Sequence, residues 1–203
     1  MNRASTEAIR PDGAIGPNAV TRMTQALRAL GDDTLCRRIF VRAGLAHHLA
    51  APPTRMIPES DVAVLHRAAI EELGEARAAE ISREAGRLTG EYLLANRIPA
   101  LAQRVLKRLP RGIAARILVA AIARHAWTFA GSGAFAYAFA PQLTLKLTGS
   151  PICREIRTQE PACAYYAATF ERVFAEILGP TLSVKETECA AIGAPACVFV
   201  VRW

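Results

Sequence analysis

The amino-acid sequence predicts an α+β domain in which a helical N-terminal half packs on an antiparallel sheet. Two observations support this prediction. The first two thirds of the 203-residue chain show the apolar period of helices, with proline and glycine near the expected ends. Most of the last third alternates aromatic or β-branched residues with small or polar ones, which is typical of strands.

The helical segments follow one another with short breaks. Pro17 and Gly31 bound the first, Pro52-Pro53 ends the second, and Gly74 ends the third, for which Ser60 or Asp61 is the expected cap. A longer amphipathic helix then runs to Pro99, and two basic helices flank 110–112. The predicted helical segments are 16–31, 32–50, 58–74, 75–98 and the two around 110–112.

The pattern changes at "WTFAGSGAFAYAFAPQLTLKLTGSP", which begins at Trp127 and predicts two or three strands. A helix follows over 163–179, and "TLSVKETECAAIGAPACVFVVRW" predicts a final hairpin that turns near Gly193. The length fits one domain. We therefore expect a flexible tail over 1–16 and a single α+β ligand-binding domain over 17–203.

Composition limits the location of the protein and its partners. The first sixteen residues lack the apolar core of a signal peptide, and the best membrane-span candidate is interrupted by arginines and "GSG". We therefore expect a soluble, cytoplasmic protein. The cytoplasm is reducing, and the odd count of five cysteines also fits disulfide pairing poorly.

The formal net charge is +7, and 92–154 contains nine cations and no acidic residue. This stretch is either a solvated basic face or a contact for an anionic ligand, an acidic partner or an anionic membrane surface. Nucleic acid is disfavoured because no basic motif is interleaved with aromatics and no zinc-finger spacing occurs.

The C-terminal cysteines are a candidate metal site. A hairpin turning near Gly193 would set Cys189 and Cys197 opposite each other, close enough for both thiolates to bind one zinc ion. Cys163 and Glu186 could complete a tetrahedron. Because Glu186 and Cys189 differ by an odd number of residues, a bulge or bend near 187–188 must re-aim one of them. The spacing alone equally fits small buried cysteines in a core.

The run Cys163…Gly179…Glu186-x-x-Cys189…Gly193…Cys197 resembles the vinyl-reductase-type domain (four-vinyl reductase) of bacterial phenol-sensing regulators. The resemblance implies that Cys163, Glu186, Cys189 and Cys197 bind a structural zinc, within a motif region at about 127–203. Four protein ligands leave no open position for catalysis. Cys36 and Cys153 fall outside the pattern and are interpreted as buried thiols.

The whole chain, from "GAIGPNAVTRM" to "CVFVVRW", resembles the free-standing J-protein family of bacteriochlorophyll biosynthesis in purple bacteria, which is named for 4-vinyl reduction of a magnesium tetrapyrrole. The resemblance implies a fold similar to the ligand-binding domains of nitric-oxide signalling and of Golgi transport-particle subunits. It also implies a pocket between helices and sheet, and a homodimer.

A carrier for a magnesium tetrapyrrole fits the residues better than a self-sufficient reductase. The sequence has no G-x-G-x-x-G between a strand and a helix and no cysteine set for an iron–sulfur cluster. A flat pigment needs aromatic walls, cations for its propionates and an axial ligand for magnesium. The predicted ligand-binding residues are His125, Trp127, Phe129, Phe135, Tyr137, Arg116 and Arg124.

Each of these residues also has an ordinary interpretation, as core aromatics or solvated side chains. The two rival functions are a 4-vinyl reductase that borrows an external reductant, and an assembly factor for a pathway enzyme that binds no pigment. The expected partners are the magnesium tetrapyrrole, bacteriochlorophyll-pathway enzymes such as magnesium chelatase, and a peripheral membrane surface.

Overall fold

A computed structural model of the chain describes residues 13–154 and 156–203. Helices and two short strands fill the first part of the chain, and a four-stranded sheet with one long helix fills the last. The elements are β1 (Ala14–Ile15), α1 (Asn18–Leu30), α2 (Asp33–Arg42), α3 (His47–Ala50), β2 (Ile57–Pro58), α4 (Glu59–Leu73), α5 (Glu75–Asn96), α6 (Ala100–Leu106), α7 (Arg111–Arg124), α8 (Trp127–Ala130), β3 (Ala134–Ala138), β4 (Thr144–Thr148), α9 (Ala164–Leu178), β5 (Ser183–Glu188) and β6 (Cys197–Arg202).

The sheet has the order β3-β4-β6-β5 and is antiparallel throughout. Alternate residues of the strands, such as Leu145, Leu147, Phe199 and Val201, are buried, whereas their neighbour Lys146 is exposed. One face of the sheet therefore packs on the helical layer and the other faces solvent. The predicted α+β class is confirmed.

Helix α9 joins the two layers, because it packs on both α5 and β5. The crossing with α5 is close at Gly86, where an added Cβ would lie 2.2 Å from the carbonyl oxygen of Tyr165. The hydroxyl of Thr169 donates a hydrogen bond of 3.1 Å to the carbonyl oxygen of Gly86. The absence of a side chain at Gly86 thus allows two helix backbones to approach each other.

The predicted tail over 1–16 is wrong at its C-terminal end. Ala14–Ile15 forms β1, which pairs with β2, and the side chain of Ile15 is 2% exposed. The amide of Gly16 also donates to the carbonyl of Thr128 at 2.7 Å. The described part of the domain therefore begins before residue 17, while 1–12 lie outside the described residues.

Two other local predictions are also wrong. The helix expected over 32–50 is two helices, α2 and α3, because Gly44 between them has a φ of +72°. Trp127 and Phe129 lie on the single helical turn α8 and not on a strand. Their spacing of two residues fits one turn of helix as well as a strand.

No described helix is long and apolar enough to cross a membrane.

The expected side-chain cap of α4 is absent. Pro58 precedes its first residue, and neither Ser60 nor Asp61 caps the helix. The carboxylate of Asp61 instead lies 2.9 Å from Nε2 of His48.

Gly86→Ala should lower the free energy of unfolding by about 1–3 kcal/mol, because the new methyl group meets backbone atoms of α9 that cannot move aside. Gly112→Ala is the matched control in a helix, since nothing lies within 4 Å of its added Cβ. The control should be neutral or stabilising by up to about 1 kcal/mol. Urea unfolding checks both variants, and equal effects would contradict the close crossing.

Candidate metal centre

Four cysteine thiols from four different segments meet beside the start of α9. They are Cys153 in a 3₁₀ turn after β4, Cys163 at the residue before α9, Cys189 just after β5 and Cys197 at the start of β6. Their sulfur atoms all lie within 4.8 Å of one another, and all four residues are buried. None of them forms a disulfide.

The distances between the sulfur atoms suit a single tetrahedral ion. Sγ of Cys153 lies 3.2 Å from that of Cys163 and 3.5 Å from those of Cys189 and Cys197. The Cys163–Cys197 and Cys189–Cys197 distances are 3.4 and 4.0 Å. Four thiolates bound to one ion at about 2.3 Å would lie roughly 3.8 Å apart. The donor set therefore fits a four-coordinate thiolate site with no open position.

Backbone amides and a hydroxyl support the sulfur atoms from outside. The amide of Ala162 donates to Sγ of Cys189 at 3.4 Å, and the amide of Ala190 donates to Sγ of Cys197 at 3.5 Å. The hydroxyl of Ser150 lies 3.6 Å from Sγ of Cys163. Such hydrogen bonds orient thiolate ligands and compensate part of their negative charge.

The ionisation of this cluster is strongly perturbed. Burial raises the pKa of the Cys163 thiol well above its usual value. Hydrogen bonds from the neighbouring thiols, that of Cys153 first, lower the pKa of Cys189. Four buried sulfur atoms cannot all ionise without a compensating positive charge. A bound cation would supply that charge.

Glu186 lies beside the cluster but outside the set of four sulfur atoms. Its Oε2 accepts a hydrogen bond of 2.9 Å from the amide of Cys163, and its buried Oε1 has no hydrogen-bond partner among the described residues. Burial and then the charge of Cys189 raise the pKa of this carboxyl to about 10. The carboxyl therefore holds the backbone beside the Cys163 thiol in place, as hydrogen-bonding groups outside a metal site do for its ligands.

The structure thus brings together three of the four predicted ligands, with Cys153 where Glu186 was expected. The expected bulge between Glu186 and Cys189 is present, because the pairing with β6 shifts between Glu186 and Glu188. Cys153 was missed because its short turn has no period and its contact with the cluster depends on the fold. Its separation of ten residues from Cys163 was the one available signal.

The predicted pigment residues divide into a packed group and an exposed group. Phe129 and Phe135 have ring centroids 5.4 Å apart in an edge-to-face contact, and Phe129 lies 5.9 Å from Phe170 of α9. These rings fill the space between α8, β3 and α9. Trp127 and Tyr137 are 51% and 40% exposed, so they belong to the surface above this packed cluster.

His125 ends α7 with one ring nitrogen bonded to the backbone. Its Nδ1 lies 2.9 Å from the carbonyl oxygen of Ala121, an acceptor, so Nδ1 carries the proton. The residue is exposed, and its Nε2 keeps a free lone pair. Arg124 is exposed, and Arg116 lies over the ring of Phe139 at 4.5 Å, which links α7 to the end of β3. His125, Arg116, Arg124, Trp127 and Tyr137 therefore lie on the outer surface of α7, α8 and β3.

Two cavities formed by the described residues lie elsewhere. One shallow cavity of about 520 Å³ lies between the α6–α7 turn and the end of α9. Another, of about 480 Å³, lies between α4, α5, α9 and β5 and is lined by His66, Ser82 and Glu186 among others. Neither of these two cavities is lined by a predicted pigment residue.

The C-terminal region and the whole chain are each similar to known proteins. A family model for the V-4-R domain matches residues 143–203, which include all four clustered cysteines. The bacteriochlorophyll synthase 23 kDa chain of Cereibacter sphaeroides is 40% identical over 91% of this chain and 88% of its own length. The bacteriochlorophyll synthase 23 kDa chain of Rhodobacter capsulatus is 38% identical over 93% of this chain and 86% of its own length.

Among solved structures, an H-NOX protein from S. oneidensis in its Fe(II)NO state is 9% identical. It covers 93% of this chain and 98% of its own length with a TM-score of 0.49.

These findings define the protein first as an α+β chain whose C-terminal part matches the V-4-R domain. The chain belongs to the family of the bacteriochlorophyll synthase 23 kDa chains. The resemblance predicted from the run between Cys163 and Cys197 is therefore confirmed.

The buried histidine of α4 should make stability depend on pH. His66 is 2% exposed, and burial lowers its pKa from 6.5 to about 4. Between these values the unfolded chain binds a proton that the native protein lacks, so stability is lost as the pH falls. The loss from this group should reach about 2 kcal/mol between about pH 7 and pH 5.

His66→Leu should remove this contribution. Urea unfolding gives the free energy of unfolding of the protein and of the variant at both pH values. The change with pH is then compared between the two proteins, because the contributions of other acid-sensitive groups are the same in both. Parallel pH dependences of the two proteins would contradict the neutral, buried imidazole.

Proposed function

We propose that this chain binds a magnesium tetrapyrrole intermediate of bacteriochlorophyll biosynthesis and carries it between pathway enzymes, while a structural zinc ion stabilises its C-terminal half. Membership of the bacteriochlorophyll synthase 23 kDa family supports the pathway. The observation that carries the binding function is the exposure of His125, Trp127, Tyr137, Arg116 and Arg124 along α7, α8 and β3, which we call the pigment surface.

Each part of this surface matches one part of the pigment. The free Nε2 of His125 suits the axial position of magnesium, because Nδ1 is already bonded to Ala121. Trp127 offers an exposed apolar ring to the flat macrocycle. Arg116 and Arg124 can form charge-assisted hydrogen bonds with propionates. An exposed surface allows the pigment to be handed on without the opening of a buried pocket.

The zinc ion would be held by Cys153, Cys163, Cys189 and Cys197. A closed set of four thiolates supports a structural function, since a catalytic zinc keeps a position for water or substrate. The ion would neutralise the buried thiolates and fix the start of α9 against the final hairpin. Glu186 would hold the amide of Cys163 in place.

The carrier is distinguished from its two rivals by one titration of the purified protein with magnesium porphyrins, with and without reduced nicotinamide. Pigment binding without reduction supports the carrier. Turnover of a vinyl pigment would support a reductase with an external reductant. Absence of both would support an assembly factor for a pathway enzyme.

The metal set predicts about one zinc per chain and a clear order among variants. Cys153→Ser should lose zinc and lower the melting temperature, because zinc binding is coupled to folding. Glu186→Gln should keep the ion, since a glutamine oxygen can still accept from the amide of Cys163. Cys36→Ser, at a buried cysteine outside the cluster, is the matched control and should also keep it.

Elemental analysis of the purified variants checks this order. Loss of zinc in Glu186→Gln together with retention in Cys153→Ser would restore the set that the resemblance implied. Absorption of the Co²⁺-substituted protein gives an independent count of thiolate ligands.

The pigment surface predicts that His125→Ala weakens binding of a magnesium porphyrin at least about tenfold, which is one interaction of about 1.4 kcal/mol. The same variant should bind the metal-free porphyrin as the parent does, because only the axial bond is lost. His47→Ala, at another exposed histidine, should change neither affinity. Fluorescence titration measures the affinity of the parent protein and of each variant for both porphyrins. Equal losses for the magnesium and metal-free pigments would contradict axial ligation.

Replacing both Arg116 and Arg124 with Gln should weaken binding of a free-acid pigment by about tenfold, since each charge-assisted bond is worth roughly 1.5–3 kcal/mol when partly shielded and less when exposed. Binding of the esterified pigment should not change. If the two pigments bind the parent protein equally well, and added salt has no effect, the arginines do not serve the ligand.

A further inference from the structure

Helices α6 and α7 repeat one short sequence pattern. Leu101–Leu106 is "LAQRVL" and Ile113–Leu118 is "IAARIL", so each helix has an apolar residue, an arginine three positions later and a second apolar residue beside the arginine. The last leucine of each run is buried in the core. The residues at i, i+3 and i+4 share the opposite side of a helix.

That opposite side is exposed and apolar in both helices. Leu101 is 67% exposed, and Val105, Ile113 and Ile117 are each about half exposed. These four side chains come from two successive helices that only 107–110 separate. Concentrated exposed aliphatic side chains mark an interaction surface more often than single ones do. We call these four residues, with Arg104 and Arg108, the outer face.

The charge of the outer face has one sign. The arginines of the outer face are both exposed, and no carboxylate in the described parts of the chain forms an ion pair with them. Lys107, which lies between the helices, instead pairs with Glu176 of α9 at 2.5 Å. The absence of acidic residues throughout 92–154 leaves nothing nearby in sequence to neutralise the two arginines.

This charge selects the occupant. A second copy in a symmetric dimer would place the same arginines against each other, which costs energy. A protein partner favours an apolar centre with a separate polar rim. Here Arg104 lies between Leu101 and Val105 in the sequence of α6, and Arg108 follows shortly after the helix. That arrangement suits a bilayer surface, where aliphatic side chains enter the headgroup region and arginines extend to phosphates.

We propose that the outer face binds the surface of an anionic lipid bilayer. Leu101, Val105, Ile113 and Ile117 enter the boundary between headgroups and acyl chains. The two arginines contact lipid phosphates. This contact does not depend on the proposed pigment binding, which uses Arg116, Arg124 and residues that follow them and none of the outer-face residues, so either proposal can fail alone.

Co-sedimentation with vesicles tests the contact. The purified full chain should partition onto phosphatidylcholine vesicles that contain about one-third phosphatidylglycerol and bind phosphatidylcholine alone at least about tenfold less. Added salt should weaken the binding. Arg104→Gln with Arg108→Gln should lower the partition coefficient by about tenfold or more, since each cation near such a surface contributes roughly 1 kcal/mol. Leu101→Gln with Val105→Gln should lower it by a similar factor.

The control variants are Val41→Gln on α2 and Arg55→Gln in the loop before β2, both at exposed positions outside the outer face. They should bind vesicles as the parent does. Circular dichroism and the melting temperature should be unchanged in every variant, because all the replaced side chains are exposed.

Three results would overturn the proposal. They are absence of binding to anionic vesicles, equal binding to vesicles without anionic lipid, and outer-face variants that bind like the controls. If the arginine pair is needed only for a complex with an acidic protein, the first of these results will be seen.

Discussion

The meeting of four buried cysteines is the constraint on which the C-terminal half of this protein depends. The four sulfur atoms lie within 4.8 Å and come from a turn after β4, the start of α9 and the two strand ends that flank the turn of the final hairpin. Without a cation, thiols this close and this buried oppose one another's ionisation. With one, the same crowding becomes a crosslink between segments far apart in sequence. Two backbone amides that donate to sulfur, and Glu186 that accepts from the amide of Cys163, are arranged around that centre.

Helix α9 transmits this constraint to the rest of the fold. It begins next to Cys163, covers the buried face of the sheet and crosses α5 at Gly86. Early in the helix, the Tyr165 hydroxyl lies 2.8 Å from that of Thr89, and the Tyr166 hydroxyl donates to the carbonyl of Phe129 at 2.8 Å. A shift of α9 would therefore disturb the helical layer, α8 and the hairpin together. Phe129 and Phe135, two of the predicted pigment residues, pack on Phe170 of the same helix.

Local signals in the sequence predicted most of this architecture. Proline or glycine marks the ends of α1, α4 and α9. The odd number of residues between Glu186 and Cys189 predicted a bulge, and the pairing of β5 with β6 contains it. The failures have physical causes. The two-residue strand β1 has too few residues to show a period. Trp127 and Phe129 are spaced for a strand, but they form one helical turn. Cys153 joins the cysteine cluster through contacts that span 36 and 44 residues, which no local pattern encodes.

Helix α7 contributes residues to both proposed surfaces, because its inner side is buried and its outer side carries apolar and basic residues. Its inner side, with Ala114, Ala115, Leu118 and Val119, is buried in the core. Its outer side is apolar near the start, at Ile113 and Ile117, and ends at Arg124 and His125. A helix at the protein surface that is apolar on both sides leaves apolar area in water unless a binding partner covers its second side. A pigment that is itself flat and apolar dissolves in lipid more readily than in water. On these two proposals, a carrier that rests one end of α7 on an anionic bilayer holds its pigment beside that surface with the other end. The acid-free run then serves both contacts, because phosphates and propionates require the same sign of charge.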